Sequence, residues 1–120
     1  GRSTNNILTA STAPSFTTAA GSLGSVAGNF SGNVFTVQGS SDSAITFSEV
    51  TSVLVGSGNN QANCSLATNG VISTTDFGGS STVAQIYNFT LRITDQEGQT
   101  VDRDFSLTSS FGSTGGGQFN

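Results

Sequence analysis

The sequence predicts an all-β chain that folds as an antiparallel sandwich of two sheets with about seven strands. Three observations predict this class. Apolar and polar residues alternate in short runs, turn-forming residues separate these runs, and no segment repeats its apolar residues at helical spacing. At 120 residues the chain has the length of one domain, with room for a single modest core. Two stacked sheets are the natural way for such strands to bury one face each.

Composition narrows the possible functions. Charged residues make up 8 % of the chain, against about 25 % in an ordinary domain, and lysine is absent. The net charge of −4 argues against a nucleic-acid partner, because phosphate binding needs clustered Lys and Arg. No apolar run approaches the roughly 20 residues that span a bilayer, so no membrane partner is expected. The absence of histidine excludes Ser-His and Cys-His catalysis and the commonest metal ligand.

The first third of the chain begins with a segment poor in apolar residues. Residues 1–13 are small and polar, which is typical of an N-terminal arm or linker. Pro14 opens a short first strand through Phe16, at an edge where its missing N–H is tolerated. After a break at Gly21, the segment Ser22–Val26 is expected to continue that strand.

The next strands are predicted from alternation. Asn33–Gln38 is a second strand with Phe35 and Val37 on one face, and Ala44–Phe47 begins a third with Ile45 and Phe47 inward.

Further along, the pattern slips at Glu49–Val50, which indicates a bulge or bend before an apolar run at Val53–Val55. Gly56–Asn63 has the composition of a loop. Asn69-Gly70 separates two β-prone runs and predicts a hairpin, since both residues tolerate the positive φ of a type I′ turn. Another loop follows at 77–82.

The stretch YNFTLRITDQEGQTVDRDFSLT, residues 87–108, predicts a β-hairpin, here called the central hairpin. Its odd-numbered residues are mostly apolar on both sides of a polar gap, so both strands are expected to face the same core. An odd loop length is needed to set apolar residues opposite one another. A three-residue loop, Gln96-Glu97-Gly98, would pair Phe89 with Phe105, with Gly98 in the left-handed conformation.

The same register predicts the outer face of the hairpin. It sets Arg92 opposite Asp102 and diagonal to Asp104, whereas a five-residue loop would pair Arg92 with Asp104 directly. Arg103 falls on the apolar face, and we expect its stem at a rim with its charged head in water.

Two kinds of residue are candidates for chemistry, the single cysteine and the acidic residues. Cys64 is the only cysteine, so it is expected to be a small, partly buried thiol, with an intermolecular disulfide or a reactive nucleophile as alternatives. The acidic cluster Asp95, Glu97, Asp102 and Asp104 could bind calcium, but its spacing is not that of an EF-hand, and a turn with outer-face ion pairs is the expected structure. Carboxylate pairs drawn from these and from Glu49, Asp76 and Asp42 are not specific enough to indicate hydrolysis. We therefore expect no enzyme activity, no catalytic or metal-binding residues and no cofactor.

Binding surfaces are harder to locate. A glycan site usually includes an exposed aromatic ring, yet the chain has no tryptophan and a single tyrosine, Tyr87. Four phenylalanines in or beside loops are candidates for contacts with a partner, and otherwise would cap the ends of the sandwich: Phe30, Phe77, Phe111 and Phe119.

Residues 66–108, with LATNGVISTT and YNFTLRITDQEGQTVDRDFSLT, resemble immunoglobulin-like domains related to cadherin-type sandwiches. The resemblance extends over about 14–120 and is nearest to versions in structural proteins of tailed bacteriophages, especially marine phages of cyanobacteria. SSDSAITFS (Ser40–Ser48) and the terminal GGGQFN also resemble those proteins. In the family, an L-P-x-G-L motif leads into the middle hairpin, and VGSGNNQANCSL stands in its place here. Ligand contacts that relatives make with this loop therefore cannot be transferred to this chain.

The resemblance implies an immunoglobulin-like sandwich over 14–111, followed by a Gly-rich C-terminal tail at 112–120. It implies a non-enzymatic structural module of a virion, as a capsid decoration, neck, tail or fibre-associated protein. Its expected partners are other virion proteins and further copies of itself, contacted through the arm or the tail. A receptor- or glycan-binding adhesion module that uses the Gly56–Asn63 loop is the alternative, and a calcium-stiffened spacer is a third.

Overall fold

The computed structural model describes residues 12–58, 60–80 and 84–110, with the backbone alone at 79 and 80. Nine strands and one 3₁₀ turn, Phe77–Ser80, form the regular structure of these residues. The all-β prediction is therefore confirmed. The strands are β1 (Ser15–Phe16), β2 (Gly21–Ala27), β3 (Gly32–Thr36), β4 (Gly39–Ser40), β5 (Ile45–Glu49), β6 (Cys64–Leu66), β7 (Val71–Thr74), β8 (Gln85–Asp95) and β9 (Thr100–Ser110).

The strands form two main sheets that enclose one core. The large sheet has the order β2-β9-β8-β5, the small sheet has the order β3-β7-β6, and β1 and β4 pair as a short two-stranded ribbon. Residues from all three sheets pack in one buried cluster. Phe16 of β1 belongs to this cluster and makes edge contacts with Phe47 and Phe105, with ring centroids 6.2 and 5.4 Å apart. The ribbon thus closes one side of an immunoglobulin-like sandwich.

The beginning of the chain contributes to two different sheets. β1 pairs antiparallel with β4, whereas β2 pairs parallel with β9. The prediction that Ser22–Val26 continues the first strand is therefore wrong. Gly21 has φ +103°, a conformation that side-chain-bearing residues rarely adopt, and the chain changes sheets at this point. The remaining strand pairs in both main sheets are antiparallel, as predicted.

The central hairpin has the predicted register. Phe89 lies opposite Phe105 and Arg92 lies opposite Asp102, so the alternative register with a five-residue loop is wrong. The loop is closed by hydrogen bonds between Asp95 and the pair Gly98 and Gln99, and Gly98 has φ +85°. Alternation therefore identified the correct pairing because both strands bury their odd-numbered side chains.

The second hairpin is present at the predicted place with a different turn. Asn69 is absent from the residues with positive φ, while Gly70 has φ +94°. Ala67 and Val71 face each other across the loop, and the Gly70 N–H bonds to the Ala67 carbonyl at 2.9 Å. The loop therefore has three residues, not two, and repeats the geometry of the central hairpin. Type I′ is wrong because it requires positive φ at both central positions of a two-residue loop.

The predicted apolar run at Val53–Val55 is not a named strand. Within it, Val55 forms an isolated parallel bridge with Cys64. β5 ends at Glu49, where the predicted bend occurs. The segment then crosses to the small sheet, where the Cys64 N–H bonds to the Leu54 carbonyl at 3.0 Å.

Candidate functional site

The most buried side-chain carboxylate of the chain, that of Asp95, stabilises the turn of the central hairpin. Asp95 is 6 % exposed. Its Oδ1 accepts hydrogen bonds from the N–H groups of Glu97 and Gln99 at 3.0 and 2.8 Å, and Oδ2 accepts one from the Gln99 side chain at 3.1 Å. A carboxylate that satisfies backbone donors in this way stabilises a turn.

Glu49 organises the bend that follows β5. One carboxylate oxygen accepts hydrogen bonds from the N–H groups of Val53 and Leu54 at 2.9 and 2.8 Å and from the Thr51 hydroxyl at 2.6 Å. The other accepts from the Val55 N–H at 2.9 Å. Three consecutive backbone donors therefore converge on one side chain, which replaces the strand ladder that this segment lacks. No feature of the sequence other than the pattern slip at Glu49–Val50 indicated this role.

The charges on the outer face of the hairpin are complementary. Arg92 forms two parallel hydrogen bonds with Asp102, at 2.8 and 3.0 Å. The hydrogen bond from Arg92 lowers the pKa of Asp102 below its ordinary value. Asp104 accepts a hydrogen bond from the Thr90 hydroxyl at 2.7 Å instead of contacting Arg92. These side chains therefore form cross-strand pairs of the kind that stabilise a sheet surface.

Arg103 corrects one prediction. Its guanidinium was expected in water, but it donates to the carbonyl oxygens of Phe16 and Thr18 at 3.4 and 2.9 Å. Its guanidinium carbon lies 5.6 Å from the centroid of the Phe16 ring. Arg103 therefore ties the end of β1 to the large sheet, where the carbonyls past a two-residue strand need donors.

Cys64 is buried, at 4 % exposure, as expected. Burial raises the pKa of its thiol to about 12, so the thiol stays protonated near neutral pH. Neither a reactive nucleophile nor an intermolecular disulfide fits this environment, because both need an accessible thiolate.

The described residues contain neither a metal-binding cluster nor a membrane-spanning helix. In 12–58, 60–80 and 84–110, no three side chains of the types Cys, Asp and Glu come together as a group that could hold a metal ion. Over the same ranges, no helix has the length and apolar character needed to cross a membrane.

Sequence analysis proposed the Gly56–Asn63 loop for adhesion. The side chain of Gln61 forms hydrogen bonds with the backbone of this loop and of the segment before it. The Gln61 side chain accepts a hydrogen bond from the Gly58 N–H at 2.7 Å and donates to the carbonyls of Ser52 and Val55 at 2.8 and 3.3 Å. Asn60 is exposed and bonds to Gln85 of β8 at 2.9 Å. In the described part of the loop, the polar side chains of Asn60 and Gln61 are therefore engaged in hydrogen bonds within the protein.

The four candidate phenylalanines have different positions. Phe77 is fully buried and packs edge-on against Tyr87, with ring centroids 5.8 Å apart, so of its two alternatives the contact with a partner is excluded. A 3₁₀ turn directs it inward, a short element without a periodic sequence signature. Phe30 is 37 % exposed and remains a candidate, while Phe111 and Phe119 lie outside the described residues. Because Tyr87 is also buried, it offers no ring to a glycan.

Two concave surfaces were not predicted from the sequence, because their shape depends on how the strands pack in the folded sandwich. The first, here called the edge groove, encloses about 280 Å³ between β2 and β3 and is lined by Ser25, Val26, Ala27, Phe30, Asn33 and Val34. The second, here called the end pocket, encloses about 400 Å³ and is lined by residues that include Thr17, Gln38, Ile45, Phe47 and Asn69. Neither is lined by a charged side chain.

Comparison with known proteins gives a likeness of fold. No protein-family model matches the chain, and no curated protein matches it. Among solved structures, the chain is similar to a crystal structure of human protocadherin-24 EC1-2, with a TM-score of 0.59 and 14 % identity. The match covers 84 % of this chain and 44 % of that chain, so this chain spans under half of its length. The fold is thus cadherin-like and of the immunoglobulin type.

Proposed function

We propose that this chain is a non-enzymatic structural module of a phage virion that acts through protein–protein contacts. The virion setting follows from the resemblance of residues 66–108 and Ser40–Ser48 to structural proteins of tailed phages. The cadherin-like fold is compatible with this role, since such sandwiches present loops and edges from a rigid core.

The proposal rests on where the described chain begins and ends. Thr12 bonds to Asp42 at 3.2 Å, and the neighbouring Ser43 bonds to Glu97 in the central hairpin loop at 3.0 Å. The described chain therefore begins beside that loop. It ends at Ser110, at the other end of the eleven-residue strand β9, about 33 Å away at 3.3 Å per residue. An arm and a tail that leave from opposite ends can contact different neighbours, as an assembling subunit requires.

The chemistry of the side chains supports binding rather than catalysis. The carboxylates of Asp95 and Glu49 hold backbone N–H groups, and Asp102 is paired with Arg92. The outer face of the large sheet carries hydroxyl and amide side chains at positions such as Thr46, Ser48 and Asn88. Apart from the cluster of Arg92, Asp102 and Asp104, the side chains on this face are uncharged, and their hydroxyl and amide groups can form hydrogen bonds with a neighbouring subunit.

Mass spectrometry of purified particles is the deciding experiment. Peptides of this chain are expected to co-purify with intact virions of its source through density gradients, and to remain after washing in high salt. Size-exclusion chromatography with light scattering then tests for assembly of the isolated chain. A chain that is missing from particles, and is monomeric without affinity for capsid or tail proteins, would refute the proposal.

The alternative is a receptor- or glycan-binding adhesion module. The end pocket favours it, because exposed Thr17, Gln38 and Asn69 surround a lining that includes the buried ring of Phe47. Hydroxyl and amide groups beside an apolar surface are typical of sites for neutral polar ligands.

A glycan array with the intact chain tests this alternative, with two variants that separate the possible positions. Gln38→Ala is expected to abolish binding if the end pocket is the site. Gln61→Ala is expected to abolish it if the Gly56–Asn63 loop is the site. No signal on the array or on host cells would exclude adhesion to the glycans presented.

A further inference from the structure

The edge groove lies between two sheet edges that face each other without a strand between them. β2 is the last strand of the large sheet and β3 is the last strand of the small sheet. Among the residues that the structure describes, no further strand pairs with either outer edge. Phe30, in the connection between these strands, is 37 % exposed beside the partly buried Val26 and Val34. The groove is therefore an apolar surface at an open side of the sandwich.

The form of the two edges favours a side chain rather than an added strand as occupant. The pairing of β2 is irregular between Ser22 and Ser25, and that of β3 is irregular between Asn33 and Phe35. Bulges of this kind bend an edge and interrupt its row of hydrogen-bonding groups. An incoming strand would find a poor ladder, whereas an aromatic ring could still pack against Phe30.

The chain itself continues from the rim of this groove. Ser110, the last residue of β9, lies opposite Ala27, its carbonyl accepts from the Gly28 N–H at 3.2 Å, and its hydroxyl lies 3.3 Å from the Val26 carbonyl. Residues 111–120 follow directly, with sequence FGSTGGGQFN: two phenylalanines, four glycines and no charged side chain. This composition matches an uncharged apolar groove. The other terminal segment contains Arg2 and joins the sandwich at the opposite end, next to Asp42.

We propose that, in the free chain, segment 111–120 folds back over the edge groove and places the ring of Phe119 against Phe30, Val26 and Val34. A Gly-rich segment of eight residues has an average end-to-end distance of about 15 Å, so Phe119 stays near the groove. A tether this short gives an effective concentration of the order of millimolar, well above that of a second copy in dilute solution. This inference does not rest on the proposed function, since it depends on the groove and the position of Ser110 alone.

Methyl NMR of the full-length chain tests the proposal. Relative to the parent protein, Phe119→Ser is expected to shift the methyl resonances of Val26 and Val34, and Phe30→Ser is expected to shift the ring resonances of Phe119. Phe119→Leu should retain most of the parent methyl shifts, because it keeps an apolar side chain. The shifts should be the same at micromolar and at near-millimolar protein concentration. Phe119 lies outside the described strands, and an unchanged urea midpoint would verify that its variants are folded.

Three results would overturn the proposal. Unchanged Val26 and Val34 resonances in Phe119→Ser would leave the groove without this occupant. A matched variant, Phe111→Ser, that alone shifts those resonances would assign the contact to Phe111. Shifts that appear only at high concentration, together with larger species in light scattering, would mean that the segment docks on a second copy.

Discussion

At the scale of single residues, charged and amide side chains hold backbone that is outside the strands. Glu49 binds the N–H groups of the bend, Gln61 holds the Gly56–Asn63 loop, and Arg103 binds carbonyls beyond β1. Each of these segments would otherwise leave peptide groups without partners in or near the core.

Replacing Glu49 tests this interpretation. Glu49→Gln keeps the size of the side chain but exchanges one acceptor oxygen for an NH₂ group, which would face backbone donors. We expect a loss of about 2–3 kcal/mol in the free energy of unfolding, measured by urea denaturation. Glu97→Gln, at an exposed carboxylate of the hairpin turn, is the control and should change stability by less than about 0.5 kcal/mol. Equal effects in the two variants would contradict the special role of Glu49.

The Cys64 thiol gives a prediction about reactivity. Because burial raises its pKa to about 12, the folded protein should react very slowly with a thiol reagent such as DTNB at pH 8. Reaction should become fast in concentrated urea, which exposes the thiol. Rapid modification of the native protein, followed by absorbance, would show that Cys64 is accessible.

The Arg92–Asp102 pair predicts a pH dependence with a defined sign. The pKa of Asp102 is lowered in the folded state, so the pair stabilises the fold above the unfolded-state pKa, about 3.9. That stabilisation disappears as the pH falls through the folded-state value. Arg92→Gln should therefore be less stable than the parent at pH 7, and the difference should vanish at low pH. Since both side chains are about 40 % exposed, the effect is expected to be small and to weaken in salt. Thermal melts from pH 2 to 7 measure it.

At the scale of elements, two hairpins with the same loop geometry set the registers of the two sheets. In each, the third loop residue is a glycine with positive φ, Gly98 or Gly70. Their surroundings differ. A Cβ on Gly98 would have no atom within 4 Å, whereas a Cβ on Gly70 would collide with the Val37 carbonyl oxygen and press on the Phe47 ring. The Val37 N–H also bonds to the Gly70 carbonyl at 2.9 Å, so this turn is joined to the segment that follows β3.

Matched alanine substitutions at Gly98 and Gly70 separate the cost of backbone strain from the cost of a steric collision. Gly98→Ala should cost about 1 kcal/mol, because only backbone strain opposes it. Gly70→Ala should cost about 3–4 kcal/mol, since strain is added to a collision with backbone. Urea denaturation of both variants provides the comparison. Similar losses would mean that the collision at Gly70 is relieved by a small movement.

At the scale of the whole molecule, aromatic packing joins the parts of the sandwich. Phe16, Phe47 and Phe105 join the short ribbon to the large sheet, and Phe77 and Tyr87 pack together elsewhere in the core. Edge-on aromatic pairs of this kind contribute about 0.5–1.5 kcal/mol each beyond area burial. The described chain begins at Thr12 and ends at Ser110, at opposite ends of this block.

The calcium-stiffened spacer is tested at this scale. Asp95 is committed to its own turn and Asp102 to Arg92, so a calcium ion would have to displace existing partners. We expect the same melting temperature in millimolar EDTA and in millimolar CaCl₂. A rise of several degrees with CaCl₂ would support the spacer.

The amino-acid sequence by itself determined the fold class, the order of most strands and the register of the central hairpin. Alternation has a period of two, and a one-residue slip would turn Phe89 and Phe105 to the solvent. The alternation therefore determines which residues of the two strands lie opposite each other. The requirement for a small residue at a left-handed position likewise located both hairpin turns, although the length of the loop at Asn69-Gly70 was wrong.

Only the tertiary structure decided the features that depend on contacts between segments far apart in sequence. The change of sheet after Gly21, the burial of Phe77 and the bonds from Arg103 to β1 follow from packing across the sandwich. The end pocket is likewise built from segments that approach each other only after folding, and the edge groove forms because β2 and β3 belong to different sheets. Local propensity contains no information on these contacts, because their free energy arises when distant surfaces leave water together.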